Sequence, residues 1–180
     1  MNLANKLTVI RMILVPVFLI CSMVGSTAGN IAALIIFVVA AITDKLDGYI
    51  ARSKNQVTNF GKFMDPLADK LLVTSALIIL VERGIIPSWI VVIIIAREFI
   101  VSGLRTLAAS QGVVIAASNW GKLKTVVQMV GIIMALLSLV YCPAWLNILT
   151  QVTIYLAAVI TLISGVDYFI KGKDIINMNE

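Results

Sequence analysis

The chain has 180 residues, 61% of them hydrophobic and 13% charged, with a mean hydropathy of +1.05, whereas ordinary soluble domains carry about 25% charged residues. This balance excludes a water-soluble globular domain and reads as an all-α integral membrane protein, one bundle over residues 1–180, with no nucleic-acid partner expected. The net charge of +5 suits a surface against anionic lipid head groups. No histidine is present, which excludes an imidazole base, a phosphohistidine intermediate and histidine metal ligands.

Crossing a bilayer takes roughly 20 apolar residues per helix, and hydropathy divides the chain into six such spans, at about 4–24, 30–51, 61–82, 87–109, 120–141 and 145–170. Their long apolar runs lack the alternation of a membrane barrel. The first opens with Lys6 and Arg11; a cleavable signal peptide is disfavoured because five further spans follow. After the Gly25–Asn30 turn, the second span ends in Asp44, Asp47 and Arg52, and the third begins with Gly61, Asp65, Pro66 and Asp69. Glu82-Arg83-Gly84 before Pro87 opens the fourth span, which carries Arg97, Glu98 and Arg105. Gln111-Gly112 and Cys142-Pro143 bracket the fifth, with Lys122 and Lys124 at its start, and Lys171 and Lys173 follow the sixth. Lys and Arg thus concentrate in alternate connections, predicting that both termini and the aspartate-rich segment face the cytoplasm. Cys21 and Cys142 read as packing residues rather than a disulfide.

Asp44 and Asp47 are three apart, and Asp65 and Asp69 four apart, so each pair shares a helical face. Across a short loop the two helices run antiparallel, at about 8–10 Å between axes, and the four carboxylates converge. Pairing with Lys45, Arg52, Lys62 and Lys70 is the structural alternative, but it leaves the access provided by Gly48 and Gly61 unexplained. Clustered carboxylates would take up protons unless cations intervened. All-oxygen ligation points to two hard divalent cations, Mg²⁺ or Mn²⁺, and such a pair is a well-attested device for phosphoryl displacement.

Asp44-x-x-Asp47-Gly48-x-x-Ala51-Arg52, eight residues, then Gly61-x-x-x-Asp65-x-x-x-Asp69 resembles the CDP-alcohol phosphotransferase signature at every defined position. The resemblance implies a six-helix membrane enzyme, usually a homodimer, that transfers a phosphoalcohol group from a CDP-linked donor to an acceptor hydroxyl and releases CMP. It makes Asp44, Asp47, Asp65 and Asp69 metal ligands, with Asp69 also the catalytic base. Gly48, Ala51 and Gly61 shape the nucleotide pocket, and Arg52 holds the diphosphate. Asn5-Lys6-Leu7-Thr8-Val9-Ile10-Arg11 resembles the family's N-terminal segment, in which Asn5 and Thr8 contribute to the CDP site; a helix cap is the alternative.

"AREFIVSGLR" (Ala96 to Arg105) and "GKLKT" (Gly121 to Thr125) resemble the branch of the family that takes CDP-diacylglycerol as donor and sn-glycerol 3-phosphate as acceptor. A phosphate monoester needs fixed positive charge, which singles out Arg105 and Lys124, then Arg97 and Lys122. The alternatives are an ion pair of Arg97 with Glu98 and positive-inside flanking by Lys122 and Lys124. Other acceptors, namely serine, inositol phosphate or phosphatidylglycerol, are the nearest rivals. A divalent-cation channel or transporter is a rival of another class, but it needs a path across the membrane, and the motif's carboxylates lie toward one side. The expected location is the bacterial inner (plasma) membrane, multi-pass, with the active site facing the cytoplasm.

Overall fold

The computed structural model describes the backbone of residues 3–53, 59–113, 115–116 and 118–177, and the side chains of 8–43, 64, 66–113, 115–116 and 118–172. Among the described residues the chain is all-helical: α1 (Leu3–Met23), α2 (Thr27–Ser53), α3 (Asn59–Glu82), α4 (Ser88–Ser110), α5 (Asn119–Ser138) and α6 (Ala144–Asn177).

The predicted elements all form, with shifted ends. α2 begins three residues before the predicted start because the Ser26 hydroxyl accepts from Gly29 N at 3.1 Å and caps the helix. Gly84, at φ +69°, closes α3 while Ile85 N donates back to Leu80 O at 2.9 Å. α5 ends at Ser138 rather than 141, its last turn tightened by Val140 N donating to Leu137 O at 3.0 Å. α6 runs seven residues past the predicted 170, supported on its exposed side by Lys171 and Asp167 at 2.8 Å.

α1 packs on α2 and α3, α4 on α6, and α5 on α6 and α2. The core centres on Phe18 and Phe37, whose rings lie 6.1 Å apart, with Leu72, Leu77, Leu80, Ile90, Ile94, Ile132 and Leu136 beneath them. Gly29 lets α1 and α2 close together, since a Cβ there would lie 2.6 Å from the Cys21 carbonyl oxygen. Both cysteines are free thiols, Cys21 against the core and Cys142 exposed.

Polar contacts tie each end of the bundle. At one end Arg83 donates to Ser22 O, Asn30 Nδ2 to Leu139 O at 3.1 Å and Gln151 Nε2 to Ile85 O at 2.7 Å. At the other, Lys70 of α3 donates to Ser102 of α4, Lys124 of α5 to Glu98 of α4, and Ser118 N to the Tyr168 hydroxyl of α6 at 3.2 Å. Consecutive helices therefore alternate in direction, which brings distant charged residues to one end.

Two segments among the described residues are long and apolar enough to cross a bilayer, Asn119–Ser138 and Ala144–Gly172; Thr8–Met23 and Thr27–Thr43 are shorter apolar segments. α4 interrupts its apolar run with Arg97, Glu98 and Arg105. Every helix nonetheless exposes large apolar side chains, among them Ile13, Ile35, Ile78, Phe99, Val126 and Val159. Patches of this extent belong against lipid rather than water. Exposed Trp89, Trp120, Tyr141 and Trp145 near helix ends suit the head-group level. Arg11, by contrast, is no solvated flank: it is 1% exposed among the helices.

Candidate active site

The helical backbone carries Asp44, Asp47, Gly48, Ala51 and Arg52 on the last third of α2, and Gly61, Asp65 and Asp69 on the first half of α3. Apart from Asp69, the detailed surroundings of these positions, and of Asn5 on α1, lie outside the described residues. Thr8 is 1% exposed on α1. Among the described residues no three potential metal-ligating side chains cluster. Asp69 is half-buried and lines a cavity, a hard oxygen donor of the type that Mg²⁺ or Mn²⁺ prefers.

That cavity, about 50 Å³, lies between α3, α4 and α5, where Asp69, Lys70, Glu98, Lys124, Thr125 and Gln128 meet an apolar back wall of Leu77 and Ile94. A second cavity of about 300 Å³ shares Lys70, Glu98 and Thr125 with the first and adds Arg97, Arg105, Lys122 and Tyr168. The four cations singled out for an acceptor phosphate thus converge from α4 and α5 on two adjoining cavities, Lys124 in the smaller and the other three in the larger. Among the described residues the larger is lined by four cationic side chains, with Lys70, against one carboxylate, Glu98.

Glu98 organises this cluster. Its Oε1 accepts from Arg97 Nη1 at 3.0 Å and from Lys124 Nζ. Lys124 is only 3% exposed and Glu98 28%. Burial of an ammonium is costly unless it is paired, and Glu98 supplies the partner while leaving Lys124 on the cavity wall. The Arg97–Glu98 ion pair expected as an alternative is therefore present, yet Arg97 also donates to Ser164 of α6 and lines the larger cavity. Arg105 and Lys122 are exposed, and Arg105 reaches Ile115 O at 3.4 Å.

Tyr168 holds the two arginines in register. Its ring lies 5.2 Å from the Arg97 guanidinium and 5.8 Å from that of Arg105, within cation–π range. Its hydroxyl accepts from Ser118 N, and the Ser118 side chain caps α5 by accepting from Gly121 N at 3.0 Å. Gly121 permits the approach, since a Cβ there would lie 3.3 Å from the Tyr168 ring. Sequence reasoning missed Tyr168 because an aromatic at the inner end of a span reads as an interfacial anchor. It also missed Lys70 and Gln128; the available signal for Gln128 was its spacing of four from Lys124, which puts both on one helical face.

Comparison with known proteins meets this geometry. The family profile described as CDP-alcohol phosphatidyltransferase matches residues 1–163. The chain belongs to the CDP-alcohol phosphatidyltransferase family. Among its relatives within the family, the CDP-diacylglycerol–glycerol-3-phosphate 3-phosphatidyltransferase of Bacillus subtilis (strain 168) is 43% identical over 95% of this chain and 95% of its own length. A probable phosphatidylglycerophosphate synthase of Mycobacterium tuberculosis (strain H37Rv) is 44% identical over 95% of this chain and 81% of its own length. The Rickettsia bellii protein bearing the same name as the Bacillus one is 39% identical over 93% of each chain. As a member of this family, the chain is a transferase of phospholipid synthesis.

Proposed function

We propose that this CDP-alcohol phosphatidyltransferase transfers the phosphatidyl group of CDP-diacylglycerol to the 1-hydroxyl of sn-glycerol 3-phosphate, giving phosphatidylglycerol phosphate and CMP. The observation that carries the reading is the convergence of Arg97, Arg105, Lys122 and Lys124 beside Asp69. A phosphorylated acceptor requires that charge, whereas serine would not. The names of the full-length relatives point the same way.

In this reading the cationic cavity binds the acceptor phosphate through charge-assisted hydrogen bonds and directs its free end toward Asp69. The Asp69 carboxylate takes the proton of the 1-hydroxyl as that oxygen attacks the phosphatidyl phosphorus, and CMP leaves. Arg52 holds the donor diphosphate, and Asn5, Thr8, Gly48, Ala51 and Gly61 form the cytidine pocket. Asp44, Asp47, Asp65 and Asp69 would hold two divalent cations, Mg²⁺ or Mn²⁺, which when bound neutralise charge and polarise the diphosphate. Six membrane spans, cytoplasmic termini and active site, a plasma-membrane location and a homodimer belong to the same proposal. They are supported by the alternation of basic connections, the lipid-suited surface and the family resemblance.

The test is CMP release by purified protein in micelles, with CDP-diacylglycerol and glycerol 3-phosphate, serine, inositol phosphate or phosphatidylglycerol, before and after chelation. Release with glycerol 3-phosphate alone, lost on chelation and restored by Mn²⁺ or Mg²⁺, is the expected result. Preference for another acceptor overturns the assignment. Asp69→Asn should abolish turnover while leaving the yield of folded protein unchanged, and normal activity in that variant removes its role as base.

A further inference from the structure

We infer that the groove between α4 and α6 holds one acyl chain of a phospholipid whose phosphomonoester head group lies in the larger cationic cavity, so that such a lipid competes with the acceptor. The lipid site rests on the geometry, and the competition rests on the proposed function. α4 and α6 run in the same direction: Arg97 donates to Ser164, and two turns on a Cβ at Gly172 would lie 2.6 Å from Leu104 Cδ2. Between them a groove of about 290 Å³ extends from Ile93 to Val101 on one helix and from Thr161 to Phe169 on the other. That is about 12 Å of helix, against roughly 15 Å for the hydrocarbon of one leaflet. Exposed Ile100, Leu162, Val166 and Phe169 form its sides, and the small Ala96 and Gly165 leave it deep. Thr161 supplies its one hydroxyl among the described residues, and that hydroxyl donates to Ala157 O at 2.6 Å. Apart from Arg97, the walls therefore suit hydrocarbon.

The charge at one end selects the occupant. Arg97 and Val101 line both the groove and the 300 Å³ cavity, so the two are continuous. A Cβ at Gly165 would lie 3.6 Å from Arg97 Cγ, which sets the arginine's stem along the groove, while its guanidinium reaches Glu98, Ser164 and the Tyr168 ring. Lipid tails are as apolar as the groove, so burying one inside a bilayer discriminates little between lipids. The head group must decide. Lys70, Arg97, Arg105 and Lys122 against Glu98 favour an anion, and a phosphomonoester brings about −1.5 to −2 charges with oxygens suited to guanidinium forks. A second copy of the chain seated in the groove would present apolar side chains and leave those cations unanswered. The lipid phosphate takes the place assigned to the phosphate of glycerol 3-phosphate. The proposed product also ends in a phosphomonoester and so belongs to the same class of ligand.

The experiment uses the full chain in neutral-detergent micelles, with dioleoyl phosphatidic acid, dioleoyl phosphatidylcholine and inorganic phosphate as probes. It reads lipid binding and, at fixed CDP-diacylglycerol, CMP release. Phosphatidic acid should bind about tenfold more tightly than phosphatidylcholine, the scale of one or two arginine contacts to an anionic head group. It should raise the KM for glycerol 3-phosphate while leaving kcat and the donor KM unchanged. Ala96→Phe fills the groove from an exposed position and should weaken phosphatidic acid binding about tenfold, with the acceptor KM unchanged when no phosphatidic acid is added. Gly165→Leu fills the groove from α6 and serves if the first variant does not fold. Equal binding of the two lipids, phosphatidic acid binding unaltered in the variants, or inorganic phosphate competing as strongly as phosphatidic acid overturns the lipid site. Variants that change the oligomeric state but not lipid binding assign the groove to a second copy and overturn it too. Selective binding that leaves the acceptor KM unmoved overturns the competition. If the wild type releases no CMP with glycerol 3-phosphate, the proposed function and the competition fall together, and the binding comparison alone decides the lipid site.

Discussion

Replacing Glu98 by Ala removes the only carboxylate that lines the larger cavity among the described residues and strips Lys124 of a hydrogen-bonded partner. Deleting one member of a fully buried ion pair costs about 3–5 kcal/mol. Here Lys124 is 3% exposed but Glu98 28%, and Asp69 lines the same cavity as Lys124, so screening lowers the expected loss to about 2–3 kcal/mol. For a chain of this size that corresponds to a fall of about 5–10 °C in Tm. Replacing both residues, Glu98→Leu with Lys124→Met, removes the charges together and should bring stability back to within about 1 kcal/mol of wild type, since apolar replacement of a buried pair is often neutral. Catalysis should not return with it. Without the buried ammonium, kcat/KM for glycerol 3-phosphate should stay about a hundredfold down, the scale of one lost charge-assisted contact to a desolvated phosphate, with the KM for CDP-diacylglycerol unchanged. Thermal unfolding in detergent and CMP release read the two effects separately. An unaltered Tm in Glu98→Ala refutes the structural pair, and wild-type acceptor kinetics in the double variant refute Lys124 as a phosphate ligand.

Tyr168→Leu removes the ring that both arginines face and should raise the KM for glycerol 3-phosphate by about tenfold, as expected for two cation–π contacts of about 0.5–1 kcal/mol each. Tyr168→Phe should keep most of that affinity, and equal losses in both variants would assign the effect to the hydroxyl bond with Ser118 instead. Gly29→Ala places a Cβ against the Cys21 carbonyl oxygen, a backbone atom that cannot rotate away. It should lower stability by about 1–3 kcal/mol while leaving the acceptor KM unchanged, measured by thermal unfolding alongside kinetics.

The helices were legible because each is a long apolar run punctuated by turn chemistry, and Gly84 and Ser26 end or start them for local reasons. Their exact limits were less so. α6 continues past Ile170 through Lys171 and Asp174 because an (i, i+4) pair and helical continuity outweigh the loss of hydropathy. The four candidate cations could be picked out because a phosphate needs charge, but Lys124 as a buried ion-pair partner and Arg97 as a three-way contact could not. Both roles depend on which neighbours α4, α5 and α6 present, and spacing along one helix carries no record of that.

What the sequence determined by itself was the class of molecule and the motif: hydropathy sets helix number, and the aspartate–glycine spacing sets which residues share a helical face. Only the tertiary structure decided that Glu98 binds Lys124, that Tyr168 spans two arginines and that Gln128 is buried on the wall of the smaller cavity. The reason is physical: the period of a helix assigns residues to a face, but the burial and partners of a polar group follow from the packing of helices far apart in the chain.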